Sequence, residues 1–277
     1  MVDAVVVSAG PLARIDRVRG VVHAVYPGSI YIATSDGPLL VVHGPGYGHT
    51  PTSLVVTGAR RDEWGASRGD IVTGKLGYLR FGSTLLDARQ VRVWQPSRAV
   101  HRGAAASAET LRAIIREIPG DATARLHSAC RRLVTALAAD DATAVRADTR
   151  ALVGYGPGLT PSGDDALVGL LAVLHRVGPT ELCSDALRLL AESLDALLCR
   201  TTLIGAHYLR LAIDGHFGEH LTDLVDALGS GNSVGNEQVA RVRATGATSG
   251  ADALVGVVAG LHLLREYLPA RQRMEMA

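Results

Sequence analysis

The sequence predicts an α+β chain: a small β-barrel or sandwich over residues 1–97, then an all-helical domain over residues 104–277 with an internal loop–helix repeat. Three observations predict it. Short apolar runs punctuated by Gly, Pro and Asp fill the first part of the chain, as strands at close spacing do. Beyond residue 103 apolar residues recur at helical spacing instead. Within that helical part, residues 162–175 are echoed at 249–262, with ten identities in fourteen positions and no gap.

In order, strands are expected at 2–8, 20–26, 29–34, 39–43, 53–57, 70–76, 78–81 and 90–94. Pro27-Gly28, Asp36-Gly37-Pro38 and Gly82-Ser83 supply turns. One connection is unusual: His43-Gly-Pro-Gly-Tyr-Gly-His-Thr-Pro51, where Gly46 and Gly48 permit close backbone approach to a ligand and His43 or His49 offers a donor. It reads equally well as a plain glycine-rich loop. Residues 95–103 form a linker. Helices follow at 108–118, 122–139, 142–153, 164–176, 180–199, from 201 or 202 onward, at 217–228 and at 236–243, with a break at 229–235 and a polar tail after Pro269.

The repeated stretch has clear local physics. Ser162-Gly-Asp-Asp165 and Ser249-Gly-Ala-Asp252 place a serine three residues before a carboxylate, close to a capping box, so both serines are expected at N-caps. Behind them 166–174 and 253–264 are uncharged apart from a histidine, the pattern of interior helices. Gly169 and Gly256 interrupt those helices at the same place, at a cost of up to about 1 kcal/mol each relative to Ala. Close approach of the sister helix would explain them.

Capping alone does not call for the preceding Gly154-Tyr-Gly-Pro-Gly-Leu-Thr-Pro161. Gly156, Pro157, Gly158 and Pro161 stiffen a loop whose amides can face an anion at a helix N-terminus. Asp164 and Asp165 oppose an anion, so either they cap and face inward, or they hold a cation or a substrate's amide hydrogens. A magnesium ion shared by Asp164, Asp165 and Asp252 is one alternative, implying a magnesium-dependent hydrolase. No metal or cofactor is assigned. His216 and His220 have zinc spacing but no evident third ligand, and His175 and His262 suit helix C-termini.

Hydrophobic residues make up 47%, charged residues 20%, and the net charge is +1, which argues against nucleic acid or an anionic membrane as partner. Cys130, Cys183 and Cys199 lack C-x-x-C spacing and suit reduced thiols in a cytoplasmic protein. No signal peptide is expected from Met1-Val-Asp-Ala-Val.

The run G-x-G-P-G-L-T-P-S-G-D-D at 154–165 resembles the AllH-type subunit family of oxamate carbamoyltransferase, of bacterial allantoin and purine-nitrogen catabolism. Gly-Pro-Gly-Tyr-Gly at 44–48, Arg200-Thr201-Thr202 before a helix, and Ser249-Gly-x-Asp252 carry the resemblance further. Tyr155 and Ala166 stand where that pattern has Leu and Phe. The resemblance implies a subunit that works with two larger carbamoyltransferase-like subunits to interconvert oxalurate plus phosphate with oxamate plus carbamoyl phosphate. Thr160, Ser162, Asp164, Asp165 and Asp252 are then the candidate catalytic residues. Gly156, Gly158, Gly163, Gly46, Gly48, Thr201, Thr202, Ser249 and Arg200 are the candidates for binding a small carboxylate or phosphate. A non-catalytic scaffold or effector-binding subunit is the rival, and a homo-oligomer is left open.

Overall fold

A computed structural model describes residues 4–35, 37–57, 64–97, 99–101, 108–177, 180–231 and 236–267. Parts of several expected features lie outside these: the start of strand 2–8, Asp36 of its turn, Arg98 and residues 102–103 of the linker, Gly178-Pro179, residues 232–235, and the polar tail. The chain separates into two compact units, Met1–Pro96 and Ser97–Ala277.

The first unit is a closed barrel rather than a sandwich. Its strands are β1 (Ala4–Ala9), β2 (Arg19–Tyr26), β3 (Ser29–Thr34), β4 (Leu40–His43), β5 (Ser53–Thr57), β6 (Ile71–Lys75), β7 (Tyr78–Phe81), β8 (Thr84–Asp87) and β9 (Arg92–Val93). They run in the order β5-β4-β3-β2-β6-β7-β8-β1, and β1 closes the ring on β5, with β9 also paired to β1. Closure leaves none of the eight ring strands with an open edge. Alternation decides which side chains fill the barrel: Val72 and Gly74 of β6 are buried between exposed Ile71, Thr73 and Lys75. Val22, Ile30, Ile32, Val42, Leu54, Leu79, Phe81 and Leu86 complete the interior. Strand β8 is absent from the expected set. Its four residues, Thr-Leu-Leu-Asp, are too short to show a period, and pairing with β7 from Tyr78↔Asp87 to Phe81↔Thr84 makes it a strand.

The second unit is helical: α1 (Ala108–Arg116), α2 (Gly120–Ala138), α3 (Ala142–Leu152), α4 (Ser162–Arg176), α5 (Thr180–Asp195), α6 (Leu203–Ile213), α7 (Glu219–Gly229), α8 (Asn236–Arg243) and α9 (Ser249–His262). Helix α5 stops four residues short of the expected 199, and a 3-10 turn, Leu198–Arg200, takes over. At the centre α4 and α9 pack on each other, and both are buried on nearly every side. Their glycines permit it. A Cβ on Gly169 would overlap the Ala253 carbonyl, and one on Gly256 would overlap the Ala166 carbonyl. The two helices therefore meet backbone to backbone. The far end of α4 is held by Arg176, whose Nε and Nη2 each donate to Asp226 of α7 at 2.7 Å.

Candidate functional site

The loop between α3 and α4 is made by its glycines. Gly154, Gly156 and Gly158 have φ of 74°, 102° and 104°, values that a side chain disfavours. Tyr155 donates its amide to Leu152 O at 2.9 Å, and Gly163 donates to Tyr155 O at 2.9 Å. Pro161 occupies the N-cap of α4, and its carbonyl accepts from Asp164 N at 2.9 Å and Asp165 N at 3.1 Å.

This corrects the expected serine caps. Ser162 is the first residue of α4 and Ser249 the first of α9, preceded by Pro161 and Thr248, with no side-chain cap at either helix. Ser249 Oγ lies instead 2.8 Å from Thr160 Oγ1. Thr160 also donates to Asp165 Oδ2 at 2.9 Å, so loop 154–163 and the start of α9 meet through hydroxyls.

The two adjacent aspartates do different things. Asp164 is 1% exposed; its Oδ1 accepts the Gly154 amide at 2.8 Å and its Oδ2 accepts the Thr201 hydroxyl. Gly205 leaves room for that carboxylate, since a Cβ there would overlap Oδ2. Asp164 is thus a clasp between the loop and the turn before α6. Thr202 makes a second clasp: it caps α6 by accepting from Gly205 N at 2.8 Å and donates its own proton to the Leu159 carbonyl. Arg200 meets the loop with its backbone, its carbonyl packing against Gly154, while its side chain is exposed.

Asp165 sits at the hydroxyl cluster. Burial pushes its carboxyl up to about 8; the Thr160 and Ser249 hydroxyls pull it back, and the charges of Asp252 and Asp164 push it further up. At neutral pH it is therefore mostly the uncharged acid, a hydrogen-bond donor instead of an anion. Burial likewise raises Asp164, against the opposing Thr201 hydroxyl and Gly154 amide. Asp252 is 4% exposed, and its Oδ2 is a buried acceptor with no bonded partner among the described residues.

Residues 155–159 are exposed. Among the described residues nothing accepts from the amides of Gly156, Gly158, Leu159, Thr160 or Ser162, whereas the Gly163 amide is taken by Tyr155. Gly46 and Gly48 belong to the barrel unit, where they take φ of 98° and 71° in the loop after β4. In that loop His49 stacks on Trp94 with ring centroids 5.4 Å apart and bonds Ser8 Oγ at 2.8 Å.

No group of three or more His, Cys, Asp or Glu side chains among the described residues is placed to hold a metal ion. Asp164, Asp165 and Asp252 are not grouped as such a set, and both oxygens of Asp164 are bonded to protein groups. Sequence reading placed Gly154 in the loop without its role as a donor to Asp164, and missed Gly205 and the Leu159 carbonyl, since these roles arise only once the 200–205 turn docks on the loop.

Fold and site together define a two-unit α+β chain whose helical unit presents a glycine–proline loop, rich in unbonded amides, at the amino end of a buried helix. Residues 152–261 match the family described as oxamate carbamoyltransferase subunit AllH, which bears out the resemblance read from the 154–165 run. No solved structure matches the chain. Among the described residues no helix is long and apolar enough to cross a membrane.

Proposed function

We propose that this chain is a subunit of a cytoplasmic carbamoyltransferase acting on a small carboxylate, oxamate with carbamoyl phosphate or oxalurate with phosphate, in purine-nitrogen catabolism. Its ligand-facing wall is the 154–163 loop. The observation that carries this reading is the row of unbonded amides on an exposed loop, inside the segment matched by the AllH family. In the forward direction the amide nitrogen of oxamate attacks the carbonyl carbon of carbamoyl phosphate. The new N–C bond forms, the C–O bond to phosphate breaks, and the proton lost from nitrogen ends on phosphate. Charge develops on oxygens throughout, so preorganised donors lower the barrier.

Gly156, Gly158 and Ser162 supply such donors from the backbone, the Ser162 hydroxyl adds to them, and Thr160 ties the loop to Asp165 and Ser249. Uncharged Asp165 weakens the repulsion that two carboxylates would exert on an anion, and Asp252 Oδ2 accepts an N–H of the carbamoyl or oxamate amide. Asp164, Thr201 and Thr202 position the loop. Arg200 and two larger partner subunits contribute the remaining positive charge. We take residues 1–97 and 104–277 as the two domains. We also infer that α3–loop–α4 and α8–loop–α9 are copies of one unit. In support, Thr245 N bonds Val242 O and Gly250 N bonds Thr245 O, each at 2.9 Å, as Tyr155 bonds Leu152 and Gly163 bonds Tyr155.

The test is oxalurate formation by the purified chain, alone and with its partner subunits. Ser162→Ala should lower kcat of the assembly by roughly 100-fold, the usual loss of one transition-state donor, whereas Asp165→Asn, which is also uncharged, should retain most of it. Exposed Tyr155, Leu159 and Leu203 beside the loop favour one rival, a scaffold that docks a partner there. Full activity of the assembly with Asp165→Ala would decide for it.

A further inference from the structure

The barrel unit holds a cavity that the reading above does not use, and it lies outside the segment matched by the AllH family. It opens at the end of the barrel where β1 and β3 finish and β2, β4 and β5 begin. Its volume is about 210 Å³, and Arg14, Arg17 and Arg19 line it above a floor of buried Val18, Leu39 and Leu40. That is smaller than the roughly 300–1,000 Å³ typical of drug-sized ligands, but it holds a small ion with some of its water.

Among the described lining residues the balance is positive: three arginines stand against one carboxylate, Asp16, whose Oδ1 accepts the Gly77 amide at 2.8 Å. Among the described residues no carboxylate pairs with Arg14, Arg17 or Arg19. The three guanidinium groups come from exposed positions within six consecutive residues, and planar guanidinium suits the oxygens of a multiply charged oxyanion.

The segment bearing these arginines is held from both sides. Gly10 N bonds Ser53 O at 2.7 Å, Leu12 N bonds Pro51 O at 2.8 Å, Gly74 N bonds Val18 O at 2.8 Å, and Ser35 N bonds Arg19 O at 2.8 Å. Between these anchors Arg17 takes φ 62°, a left-handed conformation that costs a non-glycine residue roughly 1–2 kcal/mol. The anchored, strained turn fixes the backbone from which the exposed Arg17 side chain leaves the barrel end.

We propose that this barrel-end cavity is a binding site for a small, multiply charged oxyanion, phosphate or a short dicarboxylate. The proposal is independent of the carbamoyltransferase reading, and its failure leaves that reading untouched. The test is calorimetric titration of the full-length chain with inorganic phosphate and, separately, malonate, against sodium chloride at equal ionic strength. Saturable binding of phosphate, malonate or both, with none for chloride, is expected, and the arm that saturates names the anion. Arg14→Gln/Arg19→Gln, which leaves the strained position alone, should weaken binding at least ~10-fold, since a charge-assisted hydrogen bond contributes more than a factor of ten. Arg14→Lys/Arg19→Lys should recover part of the loss. Amide NMR shifts on phosphate or malonate addition should fall on residues 12–19, 34–35 and 37–40. Heat no greater than with chloride, equal affinity in the double Gln variant, or no shifts on these residues would each overturn the proposal.

Discussion

Asp164 and Asp165 are chain neighbours, both buried and both raised by burial, yet their partners differ. Asp164 spends both oxygens on protein donors, whereas Asp165 accepts hydroxyls beside the unpaired Asp252 Oδ2. Burial lifts the Asp165 carboxyl from an ordinary 3.8 to about 8. Folding therefore favours the protonated form. Its contribution to stability is complete below about pH 4 and is lost as pH rises through about 8, by at most about 1.4 kcal/mol per pH unit. Urea unfolding across that range should show stability falling with pH, and Asp165→Asn should flatten the slope. The sequence placed both aspartates at the helix start but could not separate their roles. What separates them is Thr201 on one side and Ser249 on the other, and both arrive from distant parts of the chain.

Between elements, the decisive contact is the crossing of α4 and α9. Gly169→Ala or Gly256→Ala puts a methyl group into a carbonyl oxygen of the facing helix, which can yield only by moving the helix. Each should destabilise the chain by roughly 3 kcal/mol or more, although Ala is the better helix former. Gly260→Ala makes the informative comparison: its Cβ would meet the Val173 Cβ at 2.8 Å, a lesser overlap than the 2.0 and 1.8 Å at the two carbonyls, so a smaller loss of denaturation midpoint is expected. This crossing was legible in the sequence because the two glycines keep one spacing in both segments. The serine caps were not, because S-x-x-D reads the same whether the serine is the cap or the first helical residue. Pro161 takes the cap position in α4, and contact across the site draws Ser249 away from its own helix end. Strand β8 escaped for a plainer reason: four residues carry too little periodicity to be seen before their partner is known.

For the molecule as a whole, two separate apolar cores mean two separable stabilities. Phe81 is fully buried in the barrel and Leu133 in the helical unit. Truncating a side chain of this kind to Ala costs about 3–5 kcal/mol for Phe and 2–5 kcal/mol for Leu. Calorimetric scans of the full chain should resolve two transitions, with Phe81→Ala lowering one and Leu133→Ala lowering the other. The change from alternating to helical periodicity near residue 97 made this division readable from composition and pattern alone. Closure of the strands into a ring was not readable, because β1 must meet β5 across the whole of the intervening chain from residue 10 to residue 52.

Five residues separate Gly156 from Ser162, but only two separate Gly246 from Ser249. On both sides of that gap the supporting bonds are alike, and on the inference that the two are copies of one unit the longer version carries a three-residue excursion. The excursion brings in unbonded amides while leaving the flanking helices in register. A duplicated ancestor would in that case have divided its labour: one half stayed a plain strut, and the other was free to vary a few exposed residues without risking the scaffold beneath them.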